Sequence, residues 1–230
     1  MATISTPRAD APAVSPAARW TRGARVGVAV AFIAGGVLWV IAELIGFGLD
    51  GAARLNWAES HQLLAGIGLL ADILAVPCLL IATLAWYFLA RSRSPRLALT
   101  GALMLLFGLT AQSVSNGVDN AQFQIAMSGK VSATELAAAL GSAPVASVPG
   151  VAFMIMFYLG AFAGIIVLMI AVWRSRTLPR TGAALVILFQ LSTLIGLPIP
   201  ATVLAAAGLI IMAISLLRTP AVSSVTPTVR

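Results

Sequence analysis

The sequence predicts an all-α polytopic integral membrane protein with six transmembrane helices, and three observations lead there. The chain of 230 residues is 60% hydrophobic and only 9% charged, so it lacks the polar side chains that a water-facing surface of this size requires. Six apolar runs divide it, at 26–49, 63–90, 97–114, 151–173, 182–197 and 201–217. Twelve of its fourteen basic residues form four clusters: Arg8, Arg19, Arg22 and Arg25 before the first run, Arg91, Arg93 and Arg96 between the second and third, Arg174, Arg176 and Arg180 between the fourth and fifth, and Arg218 and Arg230 after the sixth. Lys and Arg are retained on the cytoplasmic face of a bilayer, so this alternation puts both termini inside and leaves only Arg54 and Lys130 outside.

The net charge of +7 divides by compartment: twelve Arg face one acid, Asp10, inside, whereas Arg54 and Lys130 face Asp50, Glu59, Asp119 and Glu135 outside. The basic balance is therefore a topology signal, helped by anionic lipid heads, and does not point to nucleic acid. A single cysteine, Cys78, lies in an apolar run, so no intrachain disulfide can form. Basic residues that are nearly all Arg, together with abundant Ala, point to a high-GC bacterial genome and so to a bacterial plasma (inner) membrane.

Residues 1–25, rich in Ala, Pro and Ser with four Arg, read as a disordered cytoplasmic tail. The six-helix domain covers 26–217, and 218–230 reads as a second tail. A helix needs roughly 20 residues to cross ~30 Å of hydrocarbon, so the first, second and fourth runs are ample, the third is adequate and the last two are short. The turn Leu197-Pro198-Ile199-Pro200 has no polar side chain, which leaves the fifth and sixth runs as two short crossings or one re-entrant hairpin. Trp20, Trp86, Trp173 and Trp57 stand at run ends, where an indole suits the headgroup level, and Trp39 reads as a packing residue.

Outside, Asn56 and Glu59 form a capping pair that starts the second helix near Trp57 and carries His61 in its opening turns. Within the long outer loop 115–149, Ser132 and Glu135 form a capping box with Gly141 as a stop, which predicts a short helix over 133–140 lying on the outer surface. The Arg-rich turns before Thr100-Gly101-Ala102-Leu103 and before Thr181-Gly182-Ala183-Ala184-Leu185 suggest a parallel repeat of helices 2–3 in helices 4–5, against convergence of short cytoplasmic turns.

Two carboxylates lie within apolar runs. Placing a charge at the bilayer centre costs about 2.5–3.5 kcal/mol on insertion scales, so such groups face a partner or a water-filled cavity. Glu43 is ~9 Å from its outer boundary and can snorkel, whereas Asp72 is ~14 Å down and cannot. His61 and Asp72, eleven residues apart, project within about 20° of each other, with Ala65 and Gly68 between. That face serves either close helix packing or a narrow passage down to the aspartate. Pro77 frees the carbonyl of Ile73 beside Asp72 and predicts a kink. Tyr158 and Gln112 come from other helices at similar depth, so Asp72, Glu43, His61, Tyr158 and Gln112 make up the candidate ligand or ion site. Gln190 reads as an interhelical hydrogen-bonding residue, and Gly160 and Gly164 as a contact surface.

One histidine rules out bis-His haem ligation and a three-His metal site within one chain, no serine stands in a nucleophile setting, and no phosphate loop precedes Lys130. No metal or cofactor motif is present, and an intramembrane enzyme is the weakest reading. The partner implied throughout is the lipid bilayer, with a homo-oligomer or another membrane subunit left open. Two function classes remain: a small ion- or proton-coupled carrier or ligand-binding protein using Asp72, and a non-transporting accessory, sensor or scaffold subunit.

Overall fold

The computed structural model describes residues 20–45, 48–49, 51–141, 148–196 and 201–219. Of the expected tails at 1–25 and 218–230, residues 1–19 and 220–230 lie outside the described residues, as does the turn at 197–200. Among those described, the chain forms helices and no strand. Four helical rods are long and apolar enough to cross a membrane, as in a membrane protein: α1 (Arg22–Leu44), α3 (Gln62–Ala90), α4 (Pro95–Met127) and the rod Gly150–Ser175. That last rod joins α6 (Val148–Ile155), a π-helical stretch (Met156–Gly164) and α7 (Ile165–Ser175) without interruption. Two shorter apolar helices follow, α8 (Arg180–Leu194) and α9 (Thr202–Arg218), while α2 (Gly51–Ser60) and α5 (Ala133–Gly141) sit at the end away from the Arg-rich turns. At 1.5 Å per residue α8 and α9 are only about 22–26 Å long.

The rods close into a ring in which α1 packs on α3, α3 on α4, α4 on the π stretch and α7, α7 on α8, α8 on α9, and α9 back on α1. Lipid offers apolar groups no incentive to associate, so these contacts depend on close fit, and small residues supply it. A Cβ on Gly164 would lie 2.6 Å from the backbone nitrogen of Leu105, and one on Gly36 would lie 2.9 Å from Cα of Ala206. Gly101 of α4 meets Leu168 of α7, and Gly182 of α8 meets Met212 of α9, so each of these helices packs on its successor through the glycine that follows its Arg-rich turn. Thr83 Oγ1 bonds back to the Leu79 carbonyl of its own helix at 2.8 Å, which keeps this buried hydroxyl satisfied.

The Arg-bearing half of the ring has a close-packed centre. Phe32, Leu89, Leu168, Met169, Met212 and Leu216 are fully buried there with Trp86. Trp86 faces the interior of the bundle: its ring packs 5.5 Å from that of Phe32 and its Nε1 donates to Met212 Sδ at 3.2 Å. Arg25, placed by sequence in the tail, is buried inside α1 and donates to the Thr219 carbonyl, tying the start of α1 to the end of α9. The helix begins at Arg22 because Thr21 caps it, accepting from the Ala24 amide at 3.2 Å.

Two boundaries differ from the sequence expectation. The third helix does not stop at 114. It runs on to Met127, because i,i+4 amide pairs carry it beyond the apolar run: Gln112 Nε2 donates to Asn116 Oδ1 at 2.8 Å, and Gln124 Nε2 to Asn120 Oδ1 at 3.0 Å. The second helix does not begin near Trp57. Asn56 and Glu59 lie inside the separate α2, and the chain breaks at His61, whose backbone (φ −128°, ψ 47°) is not helical. The helix over 133–140 is present as α5, with Ser132 Oγ and the Ser132 amide both bonded to Glu135. Its Leu136 packs on the cluster of Leu55, Ala58, Ala65, Phe123 and Ala126, which fastens α5 over α2 and α4.

Candidate functional site

A central cavity of about 350 Å³ occupies the other half of the ring and is lined from α1, α3, α4, the π stretch, α7, α8 and α9, with α2 contributing Arg54 at its mouth. Glu43 from α1, Asp72 from α3, and Gln112 and Asp119 from α4 bring polar groups to it. Its apolar walls are aromatic. Trp39 and Phe189 meet edge to face with centroids 5.0 Å apart, Phe157 and Phe162 lie 5.9 Å apart, and Trp86 closes the floor beside Thr83.

The π winding explains how Phe157 and Phe162 both reach this wall. Five residues of α-helix turn the chain by about 500°, which would leave the two rings about 140° apart, whereas i→i+5 bonding stacks residues five apart on one side. Tyr158, the residue singled out from sequence, therefore points away: it is 48% exposed and absent from the lining, although its ring touches Phe157 and Phe162. The run of apolar residues gave no sign of the change in winding.

His61 also lies apart from the cavity. The break between α2 and α3 removes it from the face it was expected to share with Asp72, and it stacks on Trp57 at 5.0 Å with Nδ1 3.1 Å from the Trp57 carbonyl. The rest of that face is as expected in direction: Ala65, Gly68 and Asp72 line a small side passage of about 40 Å³ between the α2 end and the cavity. The passage is tight, since a Cβ on Gly68 would come within 3.0 Å of Ile45. The helix α3 stays helical through Pro77, which faces outward.

Electrostatically the mouth is organised by Arg54. Its guanidinium lies 3.7 Å from Asp119 and 5.2 Å over the Phe123 ring, and both partners of the ion pair are partly exposed, at 43% and 34%. Asp72 makes no ion pair among the described residues; Asn116, buried beside it, holds its oxygen toward Gln112 and leaves Nδ2 without a bond of full geometry. Deeper polar groups are also uncommitted. Among the described residues Gln190 lines the cavity and makes no hydrogen bond across helices, and Thr202 Oγ1, in a residue only 4% exposed, has no hydrogen-bond partner. Sequence reading missed Arg54, although it was one of only two cations that reading left outside the Arg clusters. Trp39, Phe157, Phe162, Phe189 and Thr202 carried no signal distinguishing a cavity wall from core.

No protein-family model matches the chain, and no significant match is found among curated proteins or solved structures. The site and the fold stand on their own chemistry.

Proposed function

We propose that the chain is a six-span protein of the bacterial plasma membrane, with both termini cytoplasmic, that admits a small ligand or ion to the central cavity from outside and acts as a small ion- or proton-coupled carrier with Asp72 as the anchoring group. One observation carries this reading: a ring of helices encloses a polar-and-aromatic cavity whose deep carboxylate, Asp72, makes no ion pair among the described residues. An uncompensated carboxylate in hydrocarbon is costly, and a recurring cation or proton offsets that cost. The matching glycine contacts of α4 and α8 support the parallel hairpin repeat as well, which would make the two halves of the ring equivalent gates.

The alternative is a non-transporting accessory, sensor or scaffold subunit. It is favoured by the close packing at the centre of the Arg-bearing half, where no polar passage continues below Thr83 and Trp86 among the described residues. A carrier releases its ligand on the other side, a sensor or accessory subunit holds it without flux, and in a scaffold the same polar groups hold helices together.

The test is a thermal-shift screen of the purified protein against a chemically diverse library, followed by flux measurements in liposomes. A ligand at a hundred times its Kd raises stability by about 2.7 kcal/mol. A hit lost in Asp72→Asn with retained fold supports the anchor role. A Asp72-dependent, pH-dependent flux supports the carrier, and binding without flux supports the sensor. A stabilised Asp72→Asn protein that still binds every hit overturns Asp72 as anchor.

A further inference from the structure

We propose that the cavity selects an organic cation, an amine or quaternary ammonium with a compact apolar body, whose charge sits at Asp72 and Glu43 and competes with Arg54. This rests on the reading of the cavity as a ligand site and adds the chemical class. The first argument is charge. The lining holds three carboxylates, Glu43, Asp72 and Asp119, against one cation, Arg54, and that cation makes its ion pair with Asp119. The remaining two negative charges repel anions and attract a positive guest.

The second argument is the wall. Trp39, Phe157, Phe162 and Phe189 present ring faces and edges around the cavity, and aromatic faces attract cations, most strongly when water is excluded. Arg54 over Phe123 at 5.2 Å already uses this contact at the mouth. The third argument separates an organic cation from a bare metal ion. Among the described residues no three His, Cys, Asp or Glu side chains come close enough together to hold a metal ion. A guest that fills the space while its charge meets one or two carboxylates fits this layout. The volume, about 350 Å³, lies at the small end of the ~300–1,000 Å³ range of small-molecule pockets.

A fourth observation is independent of charge. Thr202 Oγ1 is buried in the cavity lining with no hydrogen-bond partner among the described residues, and Gln190 of α8 lines the same cavity. Buried polar atoms are normally satisfied, so these two groups leave a place for a polar atom on the guest's far side. The guest is thus bifunctional: a cationic head at Asp72, an apolar body between the rings, and one hydrogen-bonding group toward α8 and α9.

The experiment uses the full-length protein in lipid nanodiscs with three probes of similar size: benzyltrimethylammonium, benzyl alcohol and benzoate. Binding is read by calorimetry and by quenching of tryptophan fluorescence, with Trp39→Phe identifying the cavity contribution. The expected order is the ammonium far above the alcohol, with benzoate silent. Asp72→Asn should weaken the ammonium at least tenfold. Arg54→Gln should strengthen it several-fold, because one repelling unit charge in the lining is removed. If Asp72→Asn does not yield folded protein, Glu43→Gln carries the same test with a smaller loss. Alcohol or benzoate binding equal to or above the ammonium overturns the cation class and leaves the ligand cavity standing. Silence of all three probes in calorimetry and fluorescence overturns both.

Discussion

Gly108 illustrates how much a single hydrogen atom matters in a helix contact made in lipid. The backbones of α4 and the π stretch approach so closely there that an added Cβ would run into the main chain of Gly160 and Ala161, where nothing flexible can yield. Gly108→Val is expected to lower stability by about 1–3 kcal/mol or more, measured as the unfolding midpoint in mixed micelles. Gly117, on the same helix but facing open space, is the control: Gly117→Ala should be neutral or stabilising by up to ~1 kcal/mol, because alanine favours the helix. Trp86 sets the opposite limit, since Trp86→Ala empties a fully buried site against Phe32 and Met212 and should cost about 3–5 kcal/mol. Sequence placed Glu43, Asp72 and Gln112 where they line the cavity, because the depth of a charge along a helix can be counted. It could not place Tyr158, because counting assumed α-helical winding throughout.

The capping box at α5 makes an element-scale prediction. Ser132 donates to Glu135 from both its amide and its hydroxyl, and these bonds hold the exposed Glu135 carboxyl below the usual carboxylate range. A folded-state value below the unfolded one means that the box stabilises α5 at neutral pH, and that this contribution fades as pH falls through the carboxylate range. Hydrogen exchange over 133–141 should therefore quicken as pH is lowered from 6 toward 3, after correction for intrinsic rates. Glu135→Gln should flatten that extra dependence; an unchanged profile would remove Glu135 from the capping role. The same box was legible in sequence because it is local, whereas the end of α4 was not. Hydropathy reports the medium around a helix, and α4 continues past the edge of its apolar run on amide pairs and on the burial of Phe123 and Ala126 beneath α2 and α5.

For the whole molecule, orientation is the property on which the proposed route to the cavity depends. Large apolar side chains such as Leu70, Ile81, Leu99, Phe107 and Leu188 are exposed on the outside of the ring, as a lipid-facing belt requires. Cysteines introduced at Ser92→Cys and Lys130→Cys, on exposed turns at opposite ends, should label oppositely: position 130 in intact cells with a membrane-impermeant maleimide, and position 92 only after permeabilisation. The reverse result would move the cavity mouth to the cytoplasmic side, and labelling of both positions in intact cells would remove the six-span arrangement. Native Cys78 is half-buried in α3 and is replaced by Ala in this experiment.

Composition, apolar runs and the spacing of arginines determined by themselves that the chain is helical with rods long enough to cross a bilayer, because hydrocarbon leaves the backbone no other way to satisfy its hydrogen bonds. Only the tertiary structure decided which side chains meet. Ring closure through glycine contacts, the π winding at Met156–Gly164 and the break at His61 depend on packing between segments far apart in sequence, and those three features turn Trp39, Arg54, Phe157, Phe162 and Thr202 toward Asp72 while turning His61 and Tyr158 away.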